Sequence, residues 1–345
     1  MTTEKVKSAA LLTAKLALSG AILGYIFYKV GIRNIYVSLL TADAKHVLMS
    51  LVFIFISYFL GIKRWQELAR AVDVTASYRR LAALYFLGLF CNYFLPAGIG
   101  GDIVKAYYLG RSAKHRKAFL SVFLDRYVGL LVLLFVSSLV AIFHRNKGWM
   151  APVAYSIWGL SIGFIVGGAI GLYFAQLLAG LLDKFNKQIW AERLREVAAL
   201  TKGLAKNYRV LITASLLSVG AQFAAILAMD QLSLAVGARS DLTSMFLIVP
   251  IVFLASALPL SPGGLGTREA AMVFLMSELY SGLGMQPDSA RSTAAAVALL
   301  WLGINLLSSL PGIVSYPLVA RLRRMGNASV EEAHTSCGAD SLGTS

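Results

Sequence analysis

Residues 245–279 read MFLIVPIVFLASALPLSPGGLGTREAAMVFLMSEL. An apolar run, Met245 to Leu260, meets Ser261-Pro262-Gly263-Gly264-Leu265-Gly266-Thr267-Arg268-Glu269, and a shorter apolar run, Ala270 to Leu279, follows. Residues 81–109, LAALYFLGLFCNYFLPAGIGGDIVKAYYL, have the same form. Pro-x-Gly-Ile-Gly from Pro96 matches Pro-x-Gly-Leu-Gly from Pro262, 166 residues further on in a chain of 345. Charge follows each break: Asp102 with Lys105, and Arg268 with Glu269. A helix interrupted by proline and glycines, with a short restart, reads as a re-entrant hairpin or a discontinuous helix. Such backbone is tolerated at membrane depth only where protein buries it or where it lines a wet cavity. Paired interruptions in matching positions of two halves point to the binding site of a transporter.

Composition agrees with a membrane setting. Hydrophobic residues make up 58% of the chain and charged residues 14%, with a mean hydropathy of +0.70. A soluble domain carries about 25% charged residues. Further spanning segments are expected at Leu11 to Val30, Val47 to Ile62, Phe119 to Phe143, Pro152 to Leu182, Val210 to Val236 and Ala294 to Leu318. Against the roughly 20 residues that cross the hydrocarbon core as a helix, the second is short and the fourth is long, which fits a strongly tilted helix. The runs lack the alternation of barrel strands. The expected fold is therefore all-α and polytopic, with about six spanning helices and two re-entrant or broken hairpins in an inverted repeat.

The net charge of +15 is explained by where the basic residues fall. With the N-terminus in the cytoplasm and each hairpin returning to its own side, 22 lysines and arginines lie in cytoplasmic loops and 8 outside. That is the bias of the positive-inside rule. It places both termini in the cytoplasm of a cell inner membrane and makes the two halves inverted. No basic–aromatic pattern of a soluble nucleic-acid-binding domain is present, so nucleic acid is not an expected partner. The organisation expected is one domain over 1–326, with halves 1–180 and 210–326 joined by a segment at 181–209. A polar tail at 327–345 reads as disordered. The joining segment carries Leu182, Phe185, Ile189, Leu194 and Val197 among basic residues. It reads either as a helix on an anionic leaflet or as an ordinary positive loop. Cys91 and Cys337 lie in an apolar segment and in the tail, and no disulfide or metal spacing is formed.

Charge in the membrane region marks the candidate site. An Arg, Lys or Asp at the centre of a spanning helix costs about 2.5–3.5 kcal/mol on insertion scales, so such residues need partners or water. Asp102, Lys105, Asp125, Arg126, Arg268 and Glu269 are the candidates, three acids and three bases. Pro96, Gly98, Gly100, Gly101, Pro262, Gly263, Gly264 and Gly266 shape the breaks. A helix that restarts after a break exposes unpaired N–H groups and a positive dipole end suited to a phosphate or carboxylate. Asn92 before the first break either caps or contacts a headgroup, or bonds a neighbouring helix. Asp125-Arg126 reads as a site or gating pair, or as a pair at the membrane boundary. The four histidines are scattered and build no metal or nucleophilic site. No cofactor is expected and no nucleophile–base pair suggests an enzyme.

At these residues the chain resembles the flippase-like transmembrane region of lysylphosphatidylglycerol synthases and its stand-alone relatives. The likeness rests on Asn92-x3-Pro96-x4-Gly101-Asp102, on Asp125-Arg126-x2-Gly129 and on Pro259-x2-Pro262-Gly263-Gly264-Leu265-Gly266-x2-Glu269. It covers roughly Leu11 to Arg324. Lys105 stands where the family is expected to carry arginine, which keeps the charge and loses the bidentate fork. The resemblance implies an inverted-repeat helical fold that moves lipid. In two-domain relatives this region carries aminoacylated phosphatidylglycerol to the outer leaflet, and a fused cytosolic domain makes that lipid. Only a short basic and polar tail follows Leu318 here, so synthase activity is not expected. The function expected is a flippase or transporter for a polar-headed lipid with an anionic or zwitterionic headgroup. The alternatives are a secondary transporter of a small anion, and a non-transporting partner of a lipid-modifying glycosyltransferase. A homo-oligomer is compatible with either.

Overall fold

Two helices of equal length, one from each half of the chain, run side by side. The structure, a computed structural model, describes residues 36–37, 39–94, 100–110, 115–146, 148–184, 195, 198–201, 203–204, 207–239, 241–257 and 266–315. Among them the helices are α1 (Ala44–Ala71), α2 (Tyr78–Phe94), α3 (Gly100–Leu109), α4 (His115–His144) and α5 (Met150–Lys184). After these come α6 (Tyr208–Ala235), α7 (Leu242–Ala257), α8 (Thr267–Gly282) and α9 (Pro287–Ser309). The described residues contain no strand.

α1 and α6 each have 28 residues, about 42 Å of helix at 1.5 Å per residue. They are antiparallel. The Asp43 N–H donates to the Ala235 carbonyl (2.8 Å), the Ser50 hydroxyl to the Ala228 carbonyl (2.6 Å), and Arg64 Nη1 to Ser218 Oγ (3.2 Å). As position rises on one helix it falls on the other. Each helix starts on a side-chain cap: Asp43 accepts the Lys45 N–H, and Asn207 accepts the Val210 N–H. The buried face of α6 is rich in Ala and Ser, from Ala214 and Ser218 to Ala228 and Ala235, so the two backbones come close.

After each central helix the chain makes a helical hairpin and then a long helix. In the first half α2 and α3 pair antiparallel, with Arg80 Nη2 donating to the Tyr108 carbonyl (3.0 Å) at the base and Asn92 meeting Gly101 at the tip. In the second half the start of α7 and the end of α8 border one cavity of about 330 Å³, which Asp241, Ser244, Leu279 and Gly282 help to line. α4 follows the first hairpin and α9 the second. The segments α1–α4 and α6–α9 thus repeat one order, and their leading members run in opposite directions.

Among the described residues, five helical segments are long and apolar enough to cross a membrane: Ala44–Ala71, His115–His144, Met150–Gly171, Tyr208–Ala235 and Pro287–Ser315. Only 17% to 44% of each apolar stretch is buried inside the protein, so most of that surface faces outward. A water-soluble fold does not leave such continuous apolar faces open. The chain is a polytopic, all-helical membrane protein.

The described parts of the expected spans from Val47 onward fall on helices, but their ends move. α1 runs nine residues past Ile62, because the continuation is amphipathic. Trp65, Leu68 and Ala69 are buried, while Lys63 and Arg70 pair with Glu67 at 2.9 and 3.3 Å. Lys63, Arg64 and Arg70 are therefore helical residues, not loop residues. α9 starts at Pro287, before Ala294, because Ala290, Ser292 and Thr293 are small enough to pack although not apolar. The expected span Leu11 to Val30, the breaks at 95–99 and 258–265, most of segment 181–209 and the tail at 327–345 lie outside the described residues. Of the joining segment, Leu204 packs in the main core and Ala198 is buried.

Candidate functional site

The first hairpin holds its charge at the buried tip. α2 and α3 touch at glycines: a Cβ on Gly101 would collide with the Gly88 carbonyl oxygen, and one on Gly88 would strike the Lys105 side chain. This close crossing lets Asn92 Oδ1 accept the Gly101 N–H at 2.9 Å. One turn on, Asp102 and Lys105 pair at 3.3 Å across a single helical step, both buried. Lys105 Nζ also lies over the Tyr85 ring, 4.4 Å from its centroid, and 5.9 Å from that of Trp65. Aromatic faces of this kind attract a desolvated ammonium.

α4 supplies the rest. Arg126 reaches the other oxygen of Asp102 through Nε. Asp125, its neighbour in sequence, turns to α1 and takes Arg64 Nε at 2.7 Å. Asp125-Arg126 is therefore not a pair with itself; its two members belong to two linked ion pairs. Gly129, one turn further, leaves room for the Arg64 guanidinium, which a Cβ there would meet at 2.6 Å. Arg64, Asp102, Lys105, Asp125 and Arg126 thus form one cluster contributed by α1, α3 and α4. Three cations face two carboxylates within it.

Arg64 is missed by hydropathy because it follows the apolar run. Its signal is helical spacing: it lies three residues after Gly61 and four before Leu68, both buried, so it points inward on the stripe they define.

The second break builds a different unit. Gly266 has φ 86°, a conformation glycine adopts without a Cβ penalty. Its N–H donates to Glu269 Oε2 at 2.6 Å, and Arg268 Nε and Nη2 donate to Glu269 Oε1 at 3.0 and 2.7 Å. Both side chains are buried. At each restart the protein itself takes one of the N–H groups beside the break. Asn92 takes the Gly101 N–H and Glu269 takes the Gly266 N–H. At α8 the protein's own carboxylate occupies the positive end of the helix, the glutamate half of a capping box. Pro96, Gly98, Pro262, Gly263 and Gly264 lie outside the described residues; Gly100 is buried in the first turn of α3.

The two halves also meet through α9. Tyr58 of α1 donates to Asn305 Oδ1 at 3.0 Å, and its ring lies 5.8 Å from that of Tyr85, the residue that faces Lys105. Near the end of the described chain Gly312 sits against the Phe86 carbonyl and Phe90 of α2.

A buried cluster of charge held between apolar helices, with hairpins repeated in two halves, defines a multi-pass membrane protein with a polar interior. Comparison with known proteins gives the family. The family described as "Lysylphosphatidylglycerol synthase TM region" matches residues 12–312, and the chain belongs to it. A UPF0104 membrane protein of Methanothermobacter thermautotrophicus is 24% identical over 294 residues, 79% of this chain and 86% of the relative. A second from the same organism is 24% identical over 266 residues, 68% of this chain and 74% of its own length. A UPF0104 membrane protein of Methanocaldococcus jannaschii is 23% identical over 338 residues, 92% of this chain and 96% of the relative.

Proposed function

We propose that this protein carries a polar-headed lipid between the two leaflets of the membrane, with the α3–α4 ion cluster as the place where the headgroup is held. The observation that carries the reading is Asp102, buried and shared by Lys105 and Arg126 at the tip of a helical hairpin. Arg126 is eleven residues into α4, about 16 Å from its His115 end. Charge at such a depth is expensive, and a single well-matched pair would neutralise it. A carboxylate shared between two cations can exchange one of them for a ligand at lower cost than breaking a lone pair.

In this reading both hairpins are re-entrant and enter from opposite faces. The membrane is a cell inner membrane with both termini in the cytoplasm. The protein is a transporter, not an enzyme, and a separate lipid-modifying enzyme supplies or uses its substrate. The alternation of the two halves about the α1–α6 pair gives access from either side. Family membership supports lipid as cargo.

Reconstitution of the full chain into vesicles separates this function from its alternatives. Exchange of a headgroup-labelled phospholipid, read with a membrane-impermeant quencher, is expected to accelerate. Uptake of a soluble anion with no lipid exchange would assign a solute transporter instead. Neither activity, with loss of a lipid-modification phenotype when residues 181–209 are altered, would assign a non-transporting partner.

A further inference from the structure

The cluster presents only one of its charges to the outside. In the Arg126–Asp102 pair the arginine side chain is 54% exposed and the aspartate 9%. Lys105, Asp125 and Arg64 are buried. A ligand approaching from the membrane therefore meets a guanidinium, backed by a cluster with more cations than carboxylates, before it meets any acid. Asp102 takes the Nε edge of a group that carries five N–H donors in a planar fork.

The surface leading to Arg126 is apolar and continuous. α3 and α4 are antiparallel: Asp102 meets Arg126 at one end, and the Tyr107 ring stacks 5.9 Å from that of His115 at the other. Along this seam Ile103 and Tyr107 of α3 are 54% and 48% exposed, and Phe119 and Phe123 of α4 are each 55% exposed. Phe123 stacks on Tyr127, and Tyr127 on Phe164 of α5, which makes this side of the wall rigid.

We infer that the α3–α4 seam is a lateral phospholipid site: Arg126 binds the phosphodiester, and the acyl chains stay in the bilayer beside Ile103, Tyr107, Phe119 and Phe123. Guanidinium and phosphate form a bidentate, charge-assisted pair that an ammonium or hydroxyl headgroup does not offer. The phosphodiester is thus the recognised part, and the alcohol esterified to it is not read by Arg126. This inference rests on the lipid-transport reading, but its test does not involve transport. Loss of binding with lipid exchange intact would end the inference alone, and binding without exchange would end the transport reading alone.

The test uses the full wild-type chain in detergent and phenylglyoxal, which modifies accessible guanidinium groups, with modification at Arg126 read by peptide mass spectrometry. Added phosphatidylglycerol is expected to slow the reaction at Arg126 at least tenfold. Dioleoylglycerol, which lacks the phosphate, should leave the rate unchanged, as should inorganic phosphate at equal concentration, which lacks the chains. Equal rates with and without phosphatidylglycerol, or equal protection by dioleoylglycerol, would overturn the site. Protection by inorganic phosphate alone would replace it with a soluble-anion site. A second measurement is phospholipid retained per chain by native mass spectrometry. Arg126→Gln should lose it at least tenfold and Arg126→Lys, which keeps the charge but not the fork, only in part; equal retention in all three chains contradicts the proposal.

Discussion

Arg64 and Asp125 illustrate how single residues are tied to the site. Both are buried, and they join at 2.7 Å with Ser218 of α6 as a further acceptor for the guanidinium. The pair links α1 to α4 beside the Asp102 group and keeps Asp125 away from Arg126. Removing one partner of a buried pair leaves the other charge uncompensated, a loss of about 3–5 kcal/mol. Arg64→Ala should therefore lower thermal stability in detergent far more than Lys63→Ala, whose ammonium is exposed and pairs with a half-buried Glu67. Equal losses would mean the pair is not buried in the assembled protein. Asp102, Asp125 and Arg126 stood out in the sequence as charges in an apolar context. Their pairing was not, because neighbours in sequence point 100° apart on a helix and find different partners. Glu269 was legible as a charged residue after a glycine break, but its role as the cap of α8 depends on Gly266 reaching φ 86°.

At the scale of elements, the hairpins depend on close backbone contact and on their caps. The α2–α3 crossing has no space for a methyl group at Gly101, because the obstacle is the Gly88 carbonyl and not a flexible side chain. Overpacking of this kind costs about 1–3 kcal/mol. Gly101→Ala should destabilise the protein by that order and separate Asn92 from its N–H, while Gly163→Ala, where a Cβ meets nothing, should be neutral; thermal unfolding of the two variants checks this. At the start of α7, burial tends to raise the Asp241 carboxyl, but hydrogen bonds from Ser244 and Thr243 and the nearby His144 outweigh it and hold the group below the usual carboxylate range. A depressed carboxylate stabilises the fold above its unfolded value, about 3.9, and that stabilisation is lost as pH falls through the lower folded value. The unfolding midpoint of the wild type should fall more steeply below about pH 4 than that of Asp241→Asn, which keeps an acceptor oxygen for Thr243. Parallel curves would show that the cap contributes nothing to the acid limb. Helix existence was readable from apolar runs at this scale; ends were not, since α1 continues on an amphipathic stripe and α9 begins on small polar residues that hydropathy undervalues.

For the molecule as a whole, the repeat of one helix order on either side of α5, with α1 and α6 antiparallel to each other, is the feature the paired Pro-x-Gly-x-Gly breaks pointed to. Sequence alone did not reveal that the two breaks are used differently. Next to the first lies a cluster of five charges with one exposed cation, Arg126, and next to the second an arginine–glutamate pair that caps α8. In the proposed function, headgroup recognition belongs to the first half, where the larger cluster lies. The most direct measurement is the rate of headgroup-labelled phospholipid exchange between leaflets in vesicles holding equal amounts of wild-type chain or Asp102→Asn. The account predicts rapid exchange with the wild type and the protein-free rate with the variant, although both insert and unfold at similar temperatures. Equal exchange by the two chains would contradict it.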